Sequence, residues 1–101
     1  MTAGYAAAPV PEEPADRLAA AVLAVPGVAA LHPGMFGEVG TYLAGRRVAG
    51  IRVTDTDVDV HIVVLFGVAV RDTAAAVRAT VAALHPGAAV NVTVEDVATA
   101  P

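Results

Sequence analysis

The stretch GIRVTDTDVDVHIVVLFG, from Gly50 to Gly67, decides the fold. Two runs of alternating apolar and polar residues flank a turn near Thr54–Asp57, and this pattern predicts a β-hairpin. In the second run, Val58–Phe66, every other side chain is expected to face the core. The core-facing set is Val58, Val60, Ile62, Val64 and Phe66. The opposite set begins polar and ends apolar: Asp59, His61, Val63 and Leu65. Because a solvent face is normally polar throughout, we expect another chain or the Gly-rich loop to cover part of this face.

Helices are expected on either side of the hairpin along the chain. The upstream helix begins at Pro14, since proline suits a first helical position, and ends at Val25–Gly27. Its apolar residues recur at helical spacing and are Leu18, Ala21, Val22 and Val25. The downstream helix runs from Thr73 to about His85, with Asp72 expected as its N-cap. Its apolar stripe is Ala74, Val77, Val81 and Leu84.

Two further strands complete the predicted fold. A short strand is expected in VAALH, at 28–32, and a final strand at Ala89–Val97, where valines alternate with polar residues. A strand–helix–strand unit normally places its two strands in parallel, so the sheet should be mixed. The predicted fold class is α+β: a small mixed β-sheet of three to four strands with two helices on one face, in the order α-β-β-β-α-β. Residues 14–97 form the domain, between a disordered N-terminal tail at 1–13 and a C-terminal tail at 98–101.

The seven residues VAALHPG occur twice, at Val28–Gly34 and at Val81–Gly87. The first copy should be a strand entering a loop and the second the end of a helix, because tertiary setting outweighs local propensity. The repeat gives His32 and His85 identical neighbours. A zinc site needs three or four converging ligands, and these residues, even with His61, lack HxH or HxxxH spacing. We therefore expect no metal site.

The stretch from Pro33 to Gly50 contains five glycines and predicts a loop with little regular structure. Its GMFGEVG segment does not match a nucleotide-binding fingerprint, so no cofactor is expected. The loop also carries four large apolar side chains, which either dock onto a partner or pack back over the sheet. These are Met35, Phe36, Tyr42 and Leu43.

Composition excludes several classes of function. The 101 residues include no cysteine, which rules out disulfides, thiolate zinc sites and a cysteine nucleophile. A net charge of −4 argues against a general polyanion binder. The apolar run Leu18–Val25 is far shorter than the ~20 residues of a membrane-spanning helix, so the chain is expected to be soluble.

Two groups of polar residues are candidate sites. Asp59 and His61 project from the same side of the second strand and could exchange protons, but no nucleophile or phosphate loop accompanies them. They are better interpreted as a polar patch at an interface. Arg46, Arg47 and Arg52 either contact phosphates or pair with the acidic residues of the nearby turn.

Three stretches resemble, in this order, the alkaline-shock, or envelope stress response, protein family of Gram-positive bacteria. They are VPGVAALHPG at 25–34, VDVHIVVLFGVAVRDTAAAVRATV at 58–81 and VNVTVEDV at 90–97. The most specific is the middle one, where an apolar strand with an embedded histidine leads through Gly67 into a helix spaced by Val77 and Val81. GRRVAG at 45–50 is similar to actinobacterial versions of the family.

The resemblance implies a non-catalytic, self-associating α+β domain. It also implies a location in the cytoplasm, at the inner face of the cell membrane, where a membrane-anchored protein recruits the domain during envelope stress. We expect association through one of three surfaces. The first is the sheet face that bears Asp59, His61, Val63 and Leu65, and the second is a strand edge. The third is the loop with Met35, Phe36 and Tyr42, together with its neighbours Arg46 and Arg47. The alternative is a small nucleic-acid-binding module that uses Arg46, Arg47 and Arg52.

Overall fold

A computed structural model describes residues 13–99 of the chain. Within them, two helices and six strands follow one another. In chain order they are α1 (Pro14–Leu23), β1 (Val28–Leu31), β2 (Gly40–Leu43), β3 (Arg46–Ala49), β4 (Ile51–Val53), β5 (Asp57–Leu65), α2 (Val70–Leu84) and β6 (Ala89–Ala98). The predicted α+β class is confirmed. Residues 1–12 of the predicted N-terminal tail lie outside the described residues, and Ala98 belongs to β6.

Strand β5 lies at the centre of a mixed sheet. Along one side it pairs antiparallel with two strands in succession: β4 pairs with its first half and β1 with its second. Along the other side it pairs parallel with β6 over its whole length, as the strand–helix–strand unit predicts. The register places Asp59 opposite Asn91 and His61 opposite Thr93, and it shifts after Ile62.

The core lies between the helices and one face of β5. The alternate residues Val58, Val60, Ile62 and Val64 are fully buried and join one apolar cluster with Leu18 and Val22 of α1 and with Val77 and Val81 of α2. Both helices therefore cover the same face of the sheet. The prediction that Phe66 continues this row is wrong, because β5 ends at Leu65 and the chain turns at Gly67. The Phe66 side chain is 75% exposed.

The second helix differs from its prediction at both ends. It begins at Val70, after Ala69 as N-cap, and Asp72 lies in the first turn instead of capping it. A carboxylate there still favours the helix, because the first turn carries a partial positive charge. At the other end, Leu84 is exposed, since it lies beside the buried row formed by Thr73, Val77 and Val81.

The Gly-rich stretch is more ordered than its composition predicts. Instead of an irregular loop, it contains a hairpin in which β2 and β3 pair antiparallel around a turn at Ala44–Gly45. Gly50, with φ +82°, then separates β3 from β4. The chain bends at Gly50 and exchanges its partner β2 for β5.

Candidate functional site

The face of the sheet opposite the helices carries the predicted interaction residues of β5. We call Asp59, His61, Val63 and Leu65 the open face. All four are half-buried, in contrast to the fully buried valines on the other side of the strand. The polar members lie towards the start of β5 and the apolar members towards its end. The structure thus brings these four residues together as predicted.

The polar end of the open face is held by hydrogen bonds. The Asn91 side-chain amide donates to carboxylate oxygens of Asp57 at 3.0 Å and Asp59 at 2.8 Å. The Thr56 hydroxyl first, and then Asn91, lower the pKa of Asp57. Arg52 lies opposite Asp59 on the neighbouring strand β4. These contacts fix a polar border on the open face.

His61 pairs with a residue that the sequence does not indicate. Its Nδ1 atom lies 2.6 Å from Oε2 of Glu95, and both side chains are 19% exposed. Alternation along β5 instead groups His61 with Asp59, two residues away on the same strand. The contact with Glu95 depends on the parallel pairing of β5 with β6 and on the register shift that follows Ile62. Pairing the sequences of β5 and β6 in parallel places Glu95 near His61, whereas the alternation along β5 alone does not indicate this contact.

The segment before β2 lies close to His61, whose carbonyl accepts the N–H of His32. The pKa of exposed Glu38 is lowered, mainly because its carboxylate accepts backbone N–H groups, among them that of Phe36 at 3.0 Å. The charges of His61 and His32 lower it further. Glu38 therefore lies within electrostatic range of His61.

Three large apolar side chains of this segment and its hairpin are almost fully exposed. Met35, Phe36 and Tyr42 have exposed fractions of 78%, 87% and 79%, and we call these three residues the loop patch. Leu43 is half-buried and belongs to a different surface.

Arg47 connects the two parts of the loop patch. Its guanidinium lies 5.2 Å from the centroid of the Tyr42 ring and donates a hydrogen bond of 2.5 Å to the carbonyl of Gly37, the residue after Phe36. The guanidinium occupies the space where a side chain on Gly40 would lie, since a Cβ there would be 2.5 Å from one of its nitrogens. A cation–π contact and a hydrogen bond thus hold the hairpin and the preceding turn together.

The three arginines do not form one free basic patch. Arg46 donates two hydrogen bonds to Asp16 on α1, which raises the pKa of Arg46 and lowers that of Asp16. Arg47 is held within the loop patch, and Arg52 is exposed beside Asp59. Two of the three guanidinium groups therefore already have partners inside the domain.

A shallow apolar groove separates the start of α1 from the β2–β3 hairpin. It has a volume of about 220 Å³ and is lined by Glu13, Pro14, Ala15, Thr41, Leu43 and Val53. Among residues 13–99 there is no group of three or more histidine, aspartate or glutamate side chains placed to hold a metal ion. Neither helix of the described chain combines the length and the apolar character needed to cross a membrane.

Comparison with protein-family models, with curated proteins and with solved structures finds no match for this chain.

Proposed function

We propose that this chain is a non-catalytic interaction protein that self-associates and docks to a membrane-anchored partner, in support of cell-envelope homeostasis under stress. The similarity of its three sequence stretches to the alkaline-shock family supports the biological setting. The loop patch is the structural observation that carries the docking part of the proposal.

The loop patch has the composition and the exposure of a docking surface. Single exposed apolar residues are common on proteins, but a group of large ones is characteristic of a binding site. Aromatic residues, methionine and arginine are also the types enriched at the centres of protein interfaces. Here the Tyr42 ring lies against Arg47, whose guanidinium is bonded to the carbonyl of Gly37, the residue that follows the exposed Met35 and Phe36 in the chain. A partner that covers them would remove apolar surface from water, which favours association.

The apolar end of the open face offers a second apolar surface to a partner. Val63 and Leu65 are half-buried on the side of the sheet that the helices leave uncovered. Polar contacts at the opposite end of the face, around Asp59, would form a hydrated rim. The proposed partner therefore presents apolar side chains to the loop patch and to the end of β5.

The alternative function, nucleic-acid binding, has less support from the geometry. It needs free cations that neutralise phosphates, and Arg46 and Arg47 are engaged by Asp16 and Gly37. Arg52 stands beside Asp59. Binding of nucleic acid through Arg46 or Arg47 would have to break one of these contacts.

Capture from the native cell tests the proposed function. The tagged full chain is purified with solubilised membranes, in parallel with the double variant Phe36→Ser/Tyr42→Ser. Leu84→Ser is the control, because Leu84 is also an exposed large apolar residue but lies at the end of α2, outside the loop patch and the end of β5. A membrane-anchored protein should be recovered with the wild type and with the control and be lost with the double variant.

Two outcomes would contradict the proposal. One is equal recovery of the membrane protein by the double variant, which would remove the loop patch from the interface. The other is recovery of ribosomal proteins or RNA in place of a membrane protein, with a strong dependence on salt, which would favour the nucleic-acid alternative.

A further inference from the structure

The two long edges of the sheet differ in whether their outward backbone groups already have hydrogen-bond partners. At the β4 edge, the Thr41 hydroxyl donates to the carbonyl of Ile51 at 2.7 Å and accepts the N–H of Val53 at 3.3 Å. A side chain of the β2–β3 hairpin thus satisfies backbone groups that would otherwise be available to another strand. At the opposite edge lies β6, the longest strand of the described chain, at ten residues.

The hydrogen bonds at the ends of β6 show which of its backbone groups point outward. The N–H of Ala89 donates to Thr56 on the β5 side at 2.9 Å. In an extended strand, successive residues direct their N–H and C=O groups to opposite sides. Val90, Val92 and Val94 therefore direct three N–H and three C=O groups away from β5. No hydrogen bond within residues 13–99 reaches these six groups.

The C-terminal part of the same edge is closed. The register shift relative to β5 falls at Glu95, and it changes which residues point outward. Beyond it, the outward N–H of Val97 donates to the carboxylate of Asp96 at 2.8 Å. Bulges and acidic side chains are devices that prevent strand pairing. The pairing surface of β6 is therefore limited to 90–94.

We infer that two copies of this chain pair through this segment, antiparallel, about a two-fold axis that passes midway between the two copies of Val92. The inference rests on the self-association in the proposed function and names its surface. Val92 then lies opposite Val92 of the second copy, and Val90 lies opposite the second copy's Val94. This register makes six backbone hydrogen bonds and uses all six outward groups, whereas a shift by two residues leaves two of them without partners.

The side chains are compatible with this register on both faces of the sheet. On the helix side, the half-buried Val90, Val92 and Val94 meet valines of the second copy, and such cross-strand pairs of β-branched residues stabilise a sheet. On the opposite side, Asn91 meets the second copy's Thr93, and Ala89 meets the second copy's Glu95. No two like charges lie directly opposite each other, so the segment is complementary to itself.

Helix α2 leaves room for the second copy. It packs on β6, so the two α2 helices would become neighbours across the axis. Its solvent-exposed residues include five alanines, at positions 75, 76, 79, 82 and 83. Small side chains allow helices to approach towards the lower end of the usual 8–10 Å axial distance.

The arrangement has a consequence for docking. A two-fold axis perpendicular to the sheet turns both open faces to the same side of the dimer. The apolar ends of two open faces are then available to one membrane surface that carries the partner. Binding at two sites at once strengthens attachment without any new kind of contact.

Engineered cysteines test the register directly, because the chain has none of its own. Asn91→Cys and Thr93→Cys variants of the full chain are mixed, incubated so that subunits exchange, and oxidised. Opposite residues in such a non-hydrogen-bonded pair have Cα atoms about 4.5 Å apart, within the range of a disulfide. The mixture should form crosslinked dimers of one of each variant, while each variant alone should not. Crosslinking in the mixture no higher than in an Arg52→Cys control would overturn the inference.

Val92→Pro provides a second test that separates the edge from self-association in general. The N–H of Val92 points outward, so proline at this position removes no hydrogen bond within the domain. It removes two hydrogen bonds at the axis, one from each copy. Circular dichroism checks the fold, and sedimentation measures the mass against the 10.1 kDa chain. We expect a wild-type dimer and a dissociation constant raised about tenfold or more in the variant.

The outcomes distinguish the two proposals. A folded Val92→Pro variant that dimerises like the wild type overturns the proposed pairing through β6 but leaves self-association intact. A wild type that stays monomeric at high concentration overturns both the edge and the self-association in the proposed function, while docking through the loop patch is tested separately. If Val92→Pro does not fold, the cysteine mixture decides.

Discussion

The Arg46 guanidinium donates two hydrogen bonds, of 2.5 and 2.6 Å, to the two carboxylate oxygens of Asp16. This contact ties the β2–β3 hairpin to the first turn of α1, although 30 residues separate the two side chains in the sequence. This bidentate contact is the arrangement in which an arginine and a carboxylate interact most strongly. The hairpin, which carries Tyr42, is thereby fixed relative to the helical layer.

We predict that Arg46→Gln raises the pKa of Asp16 towards its usual value. The hydrogen bonds from Arg46 are the main cause of the lowered pKa, and the substitution removes the charged guanidinium that donates them. Because the pKa is lowered in the folded state, the ion pair stabilises the fold at pH values above the unfolded-state pKa. This contribution is lost as the pH falls through the folded-state pKa. An NMR titration of the Asp16 carboxyl measures the shift, and Arg71→Gln should leave it unchanged, because Arg71 is not among the groups that shift this pKa.

Thr41→Val is predicted to destabilise the domain by ~1 kcal/mol, because the outward groups of Ile51 and Val53 lose their hydroxyl partner. Valine keeps the β-branched shape, so packing changes little. Thr41→Ser is the matched control, since it retains the hydroxyl. Urea unfolding compares the two variants, and equal stability would mean that the hydroxyl does not close the β4 edge.

Gly50→Ala should cost more stability than Gly45→Ala. Both glycines have positive φ, of +82° and +75°, so a side chain strains the backbone by about 1–2 kcal/mol at either position. At Gly50, the new Cβ would also lie 2.8 Å from Cβ of Leu31 and 3.0 Å from the backbone nitrogen of His32, whereas nothing lies within 4 Å at Gly45. The crowding should add roughly 1–3 kcal/mol. Similar unfolding free energies for the two variants would contradict the close contact between the bend and β1.

Patterns within one element were predictable from the sequence. The alternation in β5 identifies the buried face correctly at Val58, Val60, Ile62 and Val64, because successive residues of a strand point to opposite faces of the sheet. The two copies of VAALHPG also adopt the predicted conformations: the first begins with β1, and the second contains the last turn of α2. In each copy, proline and glycine follow where the regular structure has ended.

Features that depend on two distant elements were not predictable in this way. The β2–β3 hairpin is short, and glycines at 40 and 45 make its sequence resemble a loop. Its order comes from tertiary contacts, such as Arg46 with Asp16 and Thr41 with β4. The contact between His61 and Glu95 is a second example, since Glu95 reaches His61 only through a register shift in the neighbouring strand. Propensity and periodicity describe single segments and contain no information on such pairings.

Leu65→Asp distinguishes the two surfaces through which this sheet could bind a second copy. If two copies stacked their open faces, a carboxylate at Leu65 would be buried in the interface without a partner, and the variant would be a folded monomer. If the copies pair through β6, residue 65 lies outside the interface, and the variant should remain a dimer. Leu65 is the better position than Val63, because Val63 lies opposite Asp96 while Leu65 lies opposite Ala98. An aspartate at 65 therefore adds no repulsion between directly opposite charges. Sedimentation of Leu65→Asp beside Val92→Pro should give a dimer for the first and mainly monomer for the second, and the reverse result would assign self-association to the open face.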